Sequence, residues 1–575
     1  MRNTYFSTKK RLFAMFVAIA FIFFVIFLRL GYIQIVWGKK LQTRALEQWT
    51  RDLPVTADRG DITDTNGIVF ASSGTSYTVY VRPNSVSNHS LIAELLSQAL
   101  KLSYQDVYDK VTAKISENTI KRKITVEEAN LIRSYNLEGV YLAADTSREY
   151  VYGDFLSQVL GFVSSDNTGQ SGLEAYYDKY LRGVDGAILT PSDLVGKELE
   201  GESAYYTPPV SGLNVVTTID FRIQRVVENV LDLVMQGHSP KGARCIVVNP
   251  QTGEVLAMSS KPSVDLNNLP RDNIGELMAS TKNMLITDVY EPGSTFKVLT
   301  AAAMLEEYAR GNPKAHSASY VFPNNANFRI VDGSRVKCWT THTSSKHCNQ
   351  NLGDALNNSC NPIFTDIGLS LGKETMYKYL SAFGYGAVSG IDFAGEQAGL
   401  LVAESAVTNG DLARISFGQT IAVTPLQLAM ATSAAVNGGL LMQPYLVKEI
   451  RTQEGELVKK FYPTVRQRAI SEKVSRELAG LLENVVTNGS GKQAYIEGFK
   501  VGGKTGTAQK YENGHIAVGK YVSSFVGFFP ADNPQYLALM LVDEPTGAHY
   551  GSTVAAPYAK MIFQQIINYK NLKPA

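Results

Sequence analysis

The chain has 575 residues, 45% of them hydrophobic and 19% charged, a composition that folds into globular domains and excludes collagen-like and disordered classes. Lys and Arg total 55 against 53 Asp and Glu, so the net charge is +2 and no nucleic-acid partner is expected. Four cysteines are too few for a disulfide framework.

Leu12 to Leu28 reads LFAMFVAIAFIFFVIFL, without a charge. As a helix it covers ~26 Å at ~1.5 Å per residue, slightly short of a ~30 Å hydrocarbon core. Leu30 to Val36 extends it, and Tyr32 and Trp37 suit the far interface. Arg2, Lys9, Lys10 and Arg11, with no acid among them, predict a cytoplasmic tail at residues 1–11 and a transmembrane anchor at 12–36. Arg29-Leu30-Gly31-Tyr32 is a poor cleavage sequence, so the run reads as a retained anchor rather than a signal peptide. The rest of the chain is then extracytoplasmic, and the protein is expected in the cell membrane with a single pass.

Lys39 to Trp49 is polar and helix-like. Asn66-Gly67 lies between apolar runs and predicts a hairpin, with strands over Gly67 to Ala71 and Tyr77 to Val81. Short helices alternate with charges over about 90–150. A shift to Pro, Ser and Gly at Gly201 to Gly212 marks a boundary. Asp220 is a candidate N-cap for a helix from Phe221 to Met235. The expected layout is a mixed α+β pedestal at 50–225 and a second domain at 235–570.

In the second domain, Gly242 to Val248 and Glu254 to Met258 read as strands around an Asn249-Pro250-Gln251-Thr252-Gly253 turn. Helices dominate from Ser294 to about Val436. Strand patterns return at Val501 to Ala508, Tyr521 to Phe529 and Tyr536 to Val542, and Ala556 to Tyr569 is helical. Strands at both ends with helices between predict one sheet flanked by helices, an α+β fold in which distant segments pair. Cys245 reads as a core strand residue.

Ser294-Thr295-Phe296-Lys297 fits S-x-x-K, a spacing that Ser7/Lys10, Ser334/Lys337 and Ser370/Lys373 share. Ser294 differs in context. Glu291-Pro292-Gly293 forms a turn, and the apolar run after it predicts a helix. Ser294 then lies at a helix N-terminus, where amide N–H groups favour developing negative charge. Lys297 shares its face, and apolar surroundings would lower its pKa towards a neutral base. Ser359-Cys360-Asn361 and Lys504-Thr505-Gly506-Thr507 follow in order. S-x-x-K, S-x-N and K-T-G in sequence form the motif set of penicillin-recognising serine acyltransferases. Ser359 can relay a proton to the leaving amine, Asn361 can orient the substrate amide, and Lys504 supplies positive charge. Thr505 and Thr507 can bind a substrate carboxylate, and Gly506 is expected to admit substrate backbone. The N–H groups of Ser294 and Thr507 are oxyanion-hole candidates.

The chain resembles the class B penicillin-binding proteins over nearly its whole length. Tyr290 to Lys297 looks like that family's extended nucleophile motif. Arg59-Gly60 with Asp64 to Gly67, Gly172-Leu173-Glu174, and Thr217 to Asp220 with Gln224 look like pedestal landmarks. Ser416 to Gln419 with Thr424 to Gln427 looks like a transpeptidase helix region. Phe525 to Phe528 and Asp543-Glu544-Pro545 are similar to the division and sporulation subgroup. The resemblance implies a five-stranded antiparallel sheet with helices on both sides. It implies attack by Ser294 on the D-Ala-D-Ala bond of a peptidoglycan stem peptide, transfer to an amine of a neighbouring stem, and inhibition by β-lactams. It also implies a polytopic SEDS-type glycosyltransferase as partner, since no glycosyltransferase motif is visible here. The end at Ala575 leaves no length for the C-terminal PASTA modules that some members carry.

No cofactor is required by this chemistry. A cluster of Cys338, His342, His347, Cys348 and Cys360 nevertheless crowds the second motif. Three readings stand: free thiols, a disulfide from Cys338 to Cys360 or Cys348, and zinc held by Cys338, His347 and Cys360 with a carboxylate such as Asp288. Some clostridial relatives resemble the zinc pattern, with Cys348 as a departure from it.

A β-lactamase or β-lactam sensor would share the three motifs, but no group suited to activating a deacylating water is visible. A silent scaffold would not need every reactive group.

Overall fold

The computed structural model describes residues 2–38, 40–41, 50–191, 205–323, 326–342, 347–512 and 515–574. The helix expected over Lys39 to Trp49 lies largely outside these residues, as does the first part of the Gly201 to Gly212 boundary. Two compact units form. The first comprises residues 1–58, 75–147 and 184–210, and the second 59–74, 148–183 and 211–575.

In the first unit, helix α1 runs Arg2–Ile35. Its Lys9–Ile35 stretch has a mean hydropathy of 2.7 and no buried side chains, so it is long and apolar enough to cross a membrane. Further along, helices His89–Leu100, Tyr104–Val111 and Val126–Tyr135 pack around Leu96, Val107, Ile120 and Ile132. The last of them starts at a capping box: Thr125 accepts from Glu128 N, and Glu128 accepts from Thr125 N.

In the second unit, the Asn66-Gly67 turn is present. Asp64 Oδ1 accepts from Asn66 N and Ile68 N, and Gly67 adopts φ 90°. The strand after it runs unbroken over Val69–Val81, where the sequence pattern had two. Nearby, Arg59 is buried between Glu174 and Asp178, at 2.5 and 2.7 Å, and Arg148 bonds the other Glu174 oxygen at 2.6 Å. Arg59 and Glu174 are among the landmarks seen in the sequence, and with Asp178 and Arg148 they form a buried ionic joint.

Helix α2, Phe221–His238, is capped by Asp220, which accepts from Arg222 N and Ile223 N. The central sheet uses β1 Gly242–Val248, β2 Val255–Lys261, β3 Gly502–Glu512, β4 His515–Phe529 and β5 Tyr536–Asp543, all antiparallel, in the order β2-β1-β5-β4-β3. Segments more than 240 residues apart in sequence therefore pair, such as Ile246 with Leu539. Alternation decides the two faces. Cys245 and Val247 join α2 and α7, Ala556–Lys570, in one core. Ile246, Val248, Val526 and Leu539 point into the other core, beside α3 Lys297–Ala309 and α6 Pro425–Val436. Between these helices lie α4 Leu352–Asn357 and α5 Asn361–Leu371. A short hairpin, Phe328–Val331 with Ser334–Lys337, interrupts the helical region that the sequence implied.

Candidate active site

The three motifs converge. Gly293 to Phe296 forms a single 3-10 turn, and α3 begins at Lys297, so Ser294 sits just ahead of the helix rather than on its first turn. That turn lies against β3: a Cβ on Gly293 would meet Ala508 Cβ at 3.3 Å and Thr507 O at 3.5 Å. Ser359 occupies the bend between α4 and α5 with φ 54°, a left-handed conformation that costs a non-glycine residue ~1 kcal/mol or more and turns its hydroxyl inward. Lys504 comes from β3.

Lys297 is fully buried and makes four bonds through Nζ: to Ser294 Oγ at 3.0 Å, Ser359 O at 2.7 Å, Ser359 Oγ at 3.2 Å and Asn361 Oδ1 at 2.7 Å. Lys504, also fully buried, donates to Ser359 Oγ at 3.0 Å and Thr505 O at 3.2 Å. No carboxylate joins either lysine among the described residues. Burial without a counter-ion pulls Lys297 down to about 8, with the Cys338 and Cys360 thiols offsetting part of the shift. Burial and the neighbouring Lys297 charge push Lys504 well below the ordinary lysine range. Lys297 can therefore be a neutral amine near neutral pH, placed to accept the Ser294 proton.

Ser294 and Ser359 line a cavity of about 210 Å³, together with Asn361, Thr505, Gly506 and Thr507. Thr505 Oγ1 donates to Ser490 Oγ, and Gly551 N donates to Thr507 Oγ1. Gly506 is also constrained by packing. A Cβ there would stand 2.5 Å from Ser524 Oγ and 3.0 Å from Thr295 Cγ2, so a side chain is excluded by packing around the 3-10 turn. Trp339, Ser490, Tyr550 and Ser552 also line the cavity, and sequence reasoning missed them. Trp339 and Tyr550 lie 6.3 Å apart, ring to ring, and Trp339 Nε1 donates to Asn358 O. The one signal was an exposed tryptophan beside Cys338.

Behind Ser359, the ligand atoms of Cys338, His342, His347 and Cys360 all lie within 4.8 Å of one another. Asp288, expected as the carboxylate of this group, is instead ion-paired with Lys282, and His342 completes the set. The missed signal was the second histidine four residues past Cys338. No disulfide joins any of the four cysteines. A hydrogen bond between Cys338 and Cys360 shares one proton, pulling Cys338 down and pushing Cys360 up. His342 Nδ1 and His347 Nδ1 are buried without partners among the described residues.

A nucleophilic serine, a desolvated lysine bonded to it, and a second hydroxyl held between two lysines define a serine acyltransferase. Residues 243–567 match the penicillin-binding protein transpeptidase domain, and residues 54–217 the penicillin-binding protein dimerisation domain. The chain is 40% identical to stage V sporulation protein D of Bacillus subtilis (strain 168), covering 100% of this chain and 88% of that one. It is 26% identical to the peptidoglycan D,D-transpeptidase FtsI of Escherichia coli (strain K12), covering 95% and 89%. The solved peptidoglycan synthetase from Bifidobacterium adolescentis superposes with a TM-score of 0.73 at 24% identity, covering 92% of this chain and 98% of that one. The chain belongs to the penicillin-binding protein transpeptidase family, as a class B member.

Proposed function

We propose that the protein is a peptidoglycan D,D-transpeptidase that cross-links stem peptides during septal or spore-wall synthesis and is acylated by β-lactams. The observation that carries this is Lys297 Nζ within hydrogen-bond reach of both Ser294 Oγ, at 3.0 Å, and Ser359 Oγ, at 3.2 Å, while Lys504 donates to the latter. Ser294 Oγ attacks the carbonyl carbon between the two D-alanines as its proton passes to neutral Lys297. The N–H groups of Ser294 and Thr507 face the oxyanion. Collapse breaks the C–N bond, and the departing D-alanine nitrogen takes a proton through Ser359. Lys504 holds that hydroxyl, Asn361 orients the substrate amide, and Thr505 and Thr507 receive the terminal carboxylate. An amine of a neighbouring stem then attacks the ester, and Ser294 regains its proton.

Fluorescent penicillin on purified full-length protein tests this. A long-lived adduct mapped to Ser294 by mass spectrometry, and absent in Ser294→Ala, is the expected result. Rapid turnover would indicate a β-lactamase, and no adduct a silent scaffold.

The basic head of α1, with no acid at Arg2, Lys9, Lys10 or Arg11, supports a cytoplasmic N-terminus and an extracytoplasmic catalytic domain. A protease confined to the outside should cut the domain and spare the head. A SEDS-type glycosyltransferase as partner follows from the absence of a glycan-polymerising motif in this chain, and co-purification from membranes tests it.

The serine chemistry needs no cofactor. Two thiols and two imidazoles within tetrahedral reach, with buried unpartnered ring nitrogens, fit a structural zinc held by Cys338, His342, His347 and Cys360. Zinc would supply no catalytic step. It would tie Cys360, and so Ser359 and Asn361 on either side, to the loop at Cys338. Metal analysis of the purified protein should find about one zinc per chain, lost in Cys360→Ala. A chelator should slow acylation and a reductant should not; the reverse would mark a disulfide.

A further inference from the structure

The second unit contains a cavity of about 690 Å³ that shares no lining residue with the Ser294 cavity. One wall is the pair of short helices Gly172–Tyr176 and Asp178–Leu181, which carry Tyr176, Lys179 and Tyr180, and the other is Lys459 to Tyr462. Tyr462 is 67% exposed and Tyr176 47%, with Lys460 Nζ over one face of Tyr462 at 5.6 Å from its centre. Lysine ammonium groups lie over the rings: Lys179 is 4.8 Å from Tyr180 and Lys459 is 4.7 Å from Phe461. Neither lysine has a carboxylate partner among the described residues, whereas Lys460 pairs with Glu449 at 3.6 Å. The single carboxylate in the wall, Asp392, is already spent on Tyr177 Oη, Leu446 N and Val447 N. The walls are thus aromatic with uncompensated positive charge, a surface that complements a ligand with apolar C–H faces and anionic groups.

Pyranose rings present such faces, and the stem peptides of nascent wall present carboxylates. We propose that this cavity binds an uncross-linked peptidoglycan strand, by stacking its sugars on Tyr176 and Tyr462 and pairing stem carboxylates with Lys179 and Lys459. The choice of this polymer over other anions rests on the transpeptidase reading above. Binding here would hold a strand at a point separate from the site where its peptides react.

The test uses full-length protein in detergent, soluble uncross-linked peptidoglycan strands and isothermal titration, with Ser294 first blocked by penicillin. The blocked protein should still bind strands, more weakly as salt rises. Tyr462→Ala, Lys459→Glu and Lys179→Glu should each weaken binding about ten-fold with unchanged melting temperature, since all three side chains are exposed. Parent-like binding by these variants would overturn the proposal. So would complete loss of binding on penicillin block, or preference for polyglutamate or a phosphate-bearing glycopolymer over strands. A protein that binds strands through this cavity but takes no penicillin label would break the transpeptidase reading and leave this site standing.

Discussion

Arg59 and Arg148 are buried beside Glu174 and Asp178, whereas Lys297 and Lys504, equally buried, meet only hydroxyl, amide and carbonyl oxygens and two nearby thiols. Both clusters lie in the same compact unit. The first is electrically compensated, and its work is to join segments far apart in sequence. The second is uncompensated, and desolvation must then be relieved by giving up protons. A buried cation with a carboxylate is structural material; a buried cation without one is a poised base. The distinction rests on partners, since burial is the same in both.

The sharpest way to break the comparison is to make the second cluster permanently charged. Lys297→Arg keeps the positive group and removes its ability to deprotonate. Acylation by fluorescent penicillin should fall by about 10³-fold, within the range that general base catalysis contributes. An arginine variant acylating at the parent rate would remove Lys297 from the role of base.

The complementary change strips compensation from the first cluster. Glu174→Gln leaves two guanidinium groups buried with one carboxylate between them, and should cost about 3–5 kcal/mol in chemical denaturation. Acylation per folded molecule should stay near the parent value, because no reacting group is touched. A large acylation defect with parent stability would mean that the joint serves the site directly.

Much of this was legible in the sequence, for a physical reason. Period-2 strands, the Asp220 cap and the Asn66-Gly67 turn are local effects, so their residues announce them. The motifs at Ser294, Ser359 and Lys504 were legible because the chemistry constrains neighbours as well as the reacting group. Trp339, Ser490, Tyr550 and Ser552 were not, because they reach the cavity from three segments far apart in sequence whose meeting depends on the fold. Asp288 was named as the carboxylate of a possible zinc site, but a nearby Lys282 captures that carboxylate. The packing of Gly506 against Thr295 and Ser524 was also not legible, because those residues come from distant segments.

A third measurement reads the poised base in the parent. With Lys297 lowered to about 8, the neutral fraction falls about ten-fold for each pH unit below that value. The second-order acylation rate should therefore climb between about pH 6 and pH 8 and level off above. A flat profile across that range would place the base elsewhere.

The smallest effect is on stability, and its sign separates the clusters most cleanly. Lys297 titrates near 8 when folded, against an ordinary value of 10.5. Below 8 the amine is charged in both states, so folding bears the full cost of burying an ammonium. Between 8 and 10.5 the unfolded chain holds the proton and the folded chain does not, so stability rises with pH, by at most ~1.4 kcal/mol per unit for one proton. Buried tyrosines such as Tyr290 and Tyr385, raised by desolvation, work the other way above 10, which confines the clean window to about 8–10. Other groups titrate there too, so the quantity to measure is the difference between parent and Lys297→Met in denaturation midpoints at pH 7.5 and 9.5. The parent should gain stability relative to the methionine variant as pH rises, while Glu174→Gln should keep a constant deficit across the same range. Parallel curves for parent and Lys297→Met would show that Lys297 holds its proton in the folded protein, and would make the two buried clusters alike after all.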